Sequence, residues 1–263
     1  MKKTFNWKIF FILLAASIVG VVAVVPYSLA VQGSQLSELT LPIPTWLLIF
    51  LQILQNAVMF AVFILIGLLA ANRVGLGLPI LEANLQGKPV GKKIKAFLLP
   101  SILLGIIGSA LVILLDVMVF NPLLMVELGD KAAELNQDAL QPAAWKGLLA
   151  SLYGGINEEI LLRLGLMSIL VWFGRFFSKT AESHPTLIVL WISNLLAAIL
   201  FGLGHLPATA ALFPLTPLVI LRAITLNGLI GIAFGYLYFK HGLEAAMLSH
   251  FTADIVLHVI LVL

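Results

Sequence analysis

The sequence predicts an all-α protein, a polytopic transmembrane bundle of seven to eight helices, and three observations carry that prediction. Of 263 residues, 61% are hydrophobic and 10% charged, with a mean hydropathy of +1.11, more apolar surface than one soluble core can bury. The apolar residues fall in runs of about 20 or more, the length at which a helix crosses roughly 30 Å of hydrocarbon. Lysines and arginines gather in alternate connections between the runs.

The runs cover 9–31, 46–71, 94–120, 144–177, 186–207, 217–239 and 243–263. The first follows Lys2, Lys3 and Lys8 and ends in Ser28-Leu29-Ala30. A cleavable signal peptide has the same layout, but the charge alternation uses this run as a retained span. Pro42-Ile43-Pro44 separates it from the second, and Gly87-Lys88-Pro89 precedes the third. The fourth is overlong, and Gly154-Gly155 offers a point where it can break into a short re-entrant or interfacial piece and a second helix, giving eight segments. The fifth carries His205, preceded by Gly202 and Gly204, which would let a neighbouring backbone approach. In the sixth, Gly228, Gly231 and Gly235 form a small-residue stripe suited to close helix packing. The seventh follows Lys240-His241-Gly242. The chain reads as one integral-membrane domain in two parts, 1–143 without a motif and 144–263 with the chemistry.

With seven crossings, Lys2, Lys3, Lys8, Arg73, Lys88, Lys92, Lys93, Lys95, Arg175, Lys179 and Lys240 share one side, which the positive-inside bias makes the cytoplasm. Glu38, the acidic stretch 127–138 and the turn at Pro214 fall on the other. The N-terminus is then cytoplasmic. The absence of cysteine removes disulfides, thiolate nucleophiles and thiolate metal sites, and the net charge of +3, carried in loops, points to a bilayer and not to nucleic acid.

Against this background the buried polar groups stand out. Glu158, Glu159 and Arg163 lie inside the fourth run, His205 in the fifth, and His250 with Asp254 in the seventh. Charges at mid-membrane cost about 2.5–3.5 kcal/mol each, so they persist where they pair or act. At about 100° per residue, Glu159 and Arg163 share a helix face, while Glu158 points elsewhere and is free to work on something else. Phe201 with His205, and His250 with Asp254, are likewise four apart. A carboxylate, two histidines and a second acid are the set that water activation requires, and two histidines with one carboxylate also make a metal-ligand set. A purely structural knot of interhelical bonds, or a proton or ion relay in a non-catalytic transport or bacteriocin-immunity protein, would use the same residue types. Asp116 and Arg222 near helix ends and Asn194 and Asn227 as interhelical hydrogen bonds read as structural; His184 and His241 read as loop residues, and His258 as a residue one turn past Asp254.

The three spacings, Glu158-Glu159-x-x-x-Arg163, Phe201-x-x-x-His205 and His250-x-x-x-Asp254, each in its own apolar helix, resemble the CAAX protease and bacteriocin-processing family of intramembrane proteases, over residues 145–263. The resemblance implies an endopeptidase, a hydrolase whose site lies among the last four helices. Its substrate would be a protein or peptide, lipidated or membrane-embedded. It implies Glu158 and His205 as the pair that activates water, Glu159 and Arg163 as their support, and His250 with position 254 as the oxyanion donors. Position 254 is commonly asparagine in that family; here it is Asp254, which donates a hydrogen bond only when protonated. It also implies two mechanisms, one metal-free and one with zinc on Glu158, His205 and His250. The metal-free version is favoured, since the compact His-Glu-x-x-His pattern is missing and Arg163 would place positive charge beside the ion. The short chain and simple loops suit a bacterial cell membrane. One geometric tension accompanies the reading. At about 1.5 Å per residue Glu158 lies some 20–25 Å into its helix, His205 about 28 Å and His250 about 10 Å, so straight parallel helices do not bring all three to one level.

Overall fold

Long runs of branched and aromatic side chains leave every backbone N–H and C=O to be satisfied inside its own segment, and in hydrocarbon the helix does this. The computed structural model describes residues 5–38, 43–129, 141–181 and 184–263, with the backbone alone for 34–38. Lys2, Lys3, the side chain of Glu38 and most of the acidic stretch lie outside the described residues. Nine helices are formed among those described, and no strand. They are α1 (Trp7–Glu38), α2 (Thr45–Val74), α3 (Pro79–Leu85), α4 (Gly91–Leu128), α5 (144–174), α6 (Leu187–Gly204), α7 (Leu206–Ala210), α8 (Pro217–His241) and α9 (Leu243–His258). Six segments, five of these helices and the stretch from α6 through α7, are long and apolar enough to cross a membrane, and α5, with its three internal charges, is the remaining long helix. The protein is an integral multi-pass membrane protein.

Gly154-Gly155 does not break the fourth run. α5 continues through it as two π-helical stretches, Tyr153–Glu158 and Ile160–Met167, so the eight-segment alternative does not arise. Packing holds the glycines helical. A Cβ on Gly155 would sit 3.0 Å from Phe251 Cβ and 3.1 Å from the Met247 carbonyl oxygen, so α5 and α9 touch backbone to backbone here. α9 also packs on α4 and α8, α8 lies along α6, and α1 runs beside α2 and α5. The glycine stripe of α8 behaves as its spacing suggests: Gly231 meets Phe201, and Gly235 is pressed on Asn194. Gly202 meets the backbone of Ile224, whereas nothing lies near Gly204. The lipid-facing surface is apolar, as the exposed Phe50, Leu54, Val58 and Val62 of α2 illustrate, while small and polar residues such as Ser17, Ser109 and Asn157 are sealed inside.

Several polar residues hold this frame. Asp116 and Arg222, unconnected in the sequence reading, form a two-pronged ion pair between α4 and α8 at 2.6 and 2.7 Å. Asn194 donates across to the Ile232 carbonyl at 2.9 Å. Asn227 instead donates to Ala223 within its own helix, so it is not the interhelical bond its position suggested. His241 closes α8 and is not a loop residue. The turn beyond it is roofed by the α2–α3 connection: Leu243 N–H donates to the Gly77 carbonyl, and Glu244 accepts the Ile80 and Leu81 N–H groups at the start of α3.

Candidate functional site

The site grows from the π-helical part of α5. A wider turn rotates successive residues by less than the 100° of an α-helix, and here it aims two neighbouring carboxylates at one imidazole. Glu159 Oε1 lies 2.8 Å from His250 Nδ1, and Glu158 Oε2 lies 3.5 Å from His250 Nε2. Glu158 therefore does not point away from its neighbour's partner, as an ideal α-helix required. Asp254 Oδ1, one turn along α9, is 3.6 Å from the same Nε2.

Glu159 has the support its spacing suggested. Arg163 NH1 faces Glu159 Oε1 at 3.1 Å, with side-chain exposures of 1% and 0%. The guanidinium also donates to the Gly231 carbonyl at 2.9 Å and lies over the rings of Phe201 and Phe234, at 5.0 and 5.4 Å. Phe234 stacks on the His250 ring at 4.4 Å, and Phe201 meets it edge-on at 5.5 Å. The imidazole is thus fixed on one nitrogen, by the stacked Phe234 ring and by the edge-on contact with Phe201, and Nε2 is the nitrogen left to face Glu158 and Asp254. These two carboxylates, at 22% and 14% exposure, are the accessible members of the cluster.

His205 is not joined to this cluster by a hydrogen bond or ion pair. It caps the end of α6 at the junction with α7, whose first turn contains Pro207, and its Nδ1–H donates to the Phe201 carbonyl at 2.9 Å. In the neutral ring that leaves Nε2 as an acceptor. Its ring meets Phe201 edge-on at 4.7 Å, so Phe201 touches both imidazoles. The depth mismatch along straight helices is resolved only in part, with Glu158 and His250 together and His205 one ring away. A zinc ion on Glu158, His205 and His250 does not fit this arrangement. His205 makes no direct bond to Glu158 or His250, Arg163 stands beside Glu159, and among the described residues no group of three His, Asp or Glu side chains is placed to hold a metal ion.

Other parts of the site are not visible in the motifs. Gly154 lies against the reactive side, where a Cβ would press on Asp254 Oδ2 and sit 3.1 Å from His250 Nε2. Gly154→Ala is expected to keep the fold, since alanine favours helix over glycine by about 1 kcal/mol. Thermal melting of the purified variant against wild type checks this. Asn157, sealed inside, donates to the Ser17 carbonyl of α1 at 2.9 Å across Gly20, which a Cβ would close to it. Tyr27 of α1 meets His258 at 3.4 Å between hydroxyl and Nδ1. A glycine beside a helical motif and an asparagine within one are the sole sequence signals for these contacts.

Residues 140–256 match the family model described as Type II CAAX prenyl endopeptidase Rce1-like. No curated protein and no solved structure matches the chain.

Proposed function

From the membership of residues 140–256 in the Rce1-like type II CAAX prenyl endopeptidase family, we propose that this membrane protease hydrolyses its substrate by water activated at Glu158. The observation that carries the proposal is the fixed His250 ring, anchored at Nδ1 by Glu159 and presenting Nε2 to the accessible carboxylates of Glu158 and Asp254.

In this mechanism Glu158 removes a proton from water as the water oxygen bonds to the peptide carbonyl carbon. His205, with Nδ1 committed to the Phe201 carbonyl, offers Nε2 to the same water. The carbonyl π electrons pass to the oxygen, which the His250 imidazolium, donating Nδ1–H to Glu159 and Nε2–H to the oxyanion, stabilises together with protonated Asp254. Glu158 then returns its proton to the nitrogen as the C–N bond breaks, and the carboxyl and amine products leave. Arg163 balances Glu159, so that Glu159 acts as the orienting carboxylate for His250 and not as a second base. No step passes through a metal, and cleavage by purified protein is expected to persist in a strong chelator of divalent ions. Loss of cleavage on chelation, restored by added zinc, would contradict that part.

The substrate is a protein or peptide held in the membrane. Membranes from cells expressing wild type or Glu158→Gln at equal levels provide the test, by a mass-spectrometric comparison of new protein termini. Termini that appear with wild type alone identify the substrate. Identical sets would instead favour a relay or immunity role for the polar cluster.

A further inference from the structure

The catalytic cluster is sealed on one side and open on the other. From Glu159 toward the Gly174 end of α5, Ile160, Arg163, Leu164, Met167, Ser168 and Val171 are all closed to solvent. On α9 Leu243, Ala245, Ala246 and Ser249, which precede His250, are closed as well. Tyr238 of α8 completes the seal with a 2.7 Å bond to Ser168. The cavity of about 420 Å³ beside Lys93, Lys240 and His241 lies beyond this plug. In the other direction exposure returns: Asp254 and Glu158 are partly open, His258 more so than His250, and Ile260 and Leu261 are exposed.

Toward that end His250, Asp254 and His258 repeat every four residues along α9, and the missing side chains of Gly147 and Gly154 let α5 pack directly against His258 and Asp254. The Tyr27 hydroxyl lies 3.4 Å from His258 Nδ1. Tyr27 and His258 meet edge-on at 5.6 Å between ring centres, and both lie outside the matched segment 140–256. A polar file of this kind in a membrane interior needs a water-facing use.

We propose that water and the substrate chain reach Glu158 from the end of the bundle where α9 terminates, along the His250–Asp254–His258 face, past Tyr27 of α1. The proposal rests on Glu158 as the base, and its access route is measured without any cleavage assay. Because the chain has no cysteine, single cysteines can be introduced directly. Lys88→Cys marks the face with the basic loops and Leu263→Cys the face at the end of α9. A membrane-impermeant thiol reagent is added to either side of sealed vesicles; it modifies only thiolates that water reaches. His258→Cys and Tyr27→Cys are expected to label from the Leu263 side, and Ser168→Cys from neither. Each variant's melting in detergent is compared with wild type, and Asp254→Cys provides a third position should one of the first two fail to fold. Labelling of the folded variants from the Lys88 side, or from no side, overturns the route. Should Glu158→Gln leave protein termini unchanged while these positions still label from the Leu263 side, protease chemistry fails and the water-filled polar route stands.

Discussion

Glu158→Gln is expected to lower the rate of peptide cleavage by about a hundredfold to ten-thousandfold, the range over which a positioned general base acts. The amide keeps the size of the carboxylate and can still approach His250 Nε2, now 3.5 Å away. It cannot accept the proton from water. Glu158 is partly exposed and Glu159 supplies the buried ion pair, so the melting temperature of the variant should match wild type. Activity and stability therefore separate at this position, as they would not in a purely structural knot. A variant that melts lower and cleaves normally would place Glu158 in the frame and not in the chemistry.

Arg163→Met reverses the pattern. Removing one partner of a buried pair costs about 3–5 kcal/mol, because the remaining charge is left uncompensated. Here the stranded group is Glu159, wholly enclosed, whose second oxygen has no hydrogen-bond partner among the described residues. The Gly231 carbonyl also loses its donor, and two aromatic rings lose their cation. Thermal melting should fall sharply, and cleavage with it. In the double variant Glu159→Leu/Arg163→Met no charge is stranded, and replacing both members of such a pair by apolar residues is often close to neutral. Melting should recover, while cleavage stays low because His250 has lost the carboxylate that fixes Nδ1. Recovery of both would mean that the pair is structural alone.

The helices and the four-residue spacings were legible in the sequence for a physical reason. In hydrocarbon the backbone must bond within its own helix, which fixes rise and rotation, so Glu159 and Arg163 met as their spacing required. What departs from regular helix was not legible. The π-helical widening of α5 lies where that helix packs against α9, and with it Glu158 and Glu159 both face His250. Gly154-Gly155 looked like a break because glycine weakens an isolated helix, yet both residues are there to let α9 approach. The contribution of α1, through Ser17 and Tyr27, joins residues 140 and 231 positions apart in sequence, and no local pattern encodes such a pair. His205 stood beside Glu158 in the motif-based reading. It lies across Phe201 from His250, without a direct bond to the cluster.

The central claim, hydrolysis at Glu158, meets its most direct test in a purified system. Wild type and Glu158→Gln are reconstituted separately into lipid vesicles with the membrane peptide identified from wild-type-dependent termini, and the products are read by mass. The account predicts two fragments whose masses sum to the peptide plus one water with wild type, and intact peptide with the variant. Equal cleavage by both chains, or none by a folded wild-type chain, would contradict it.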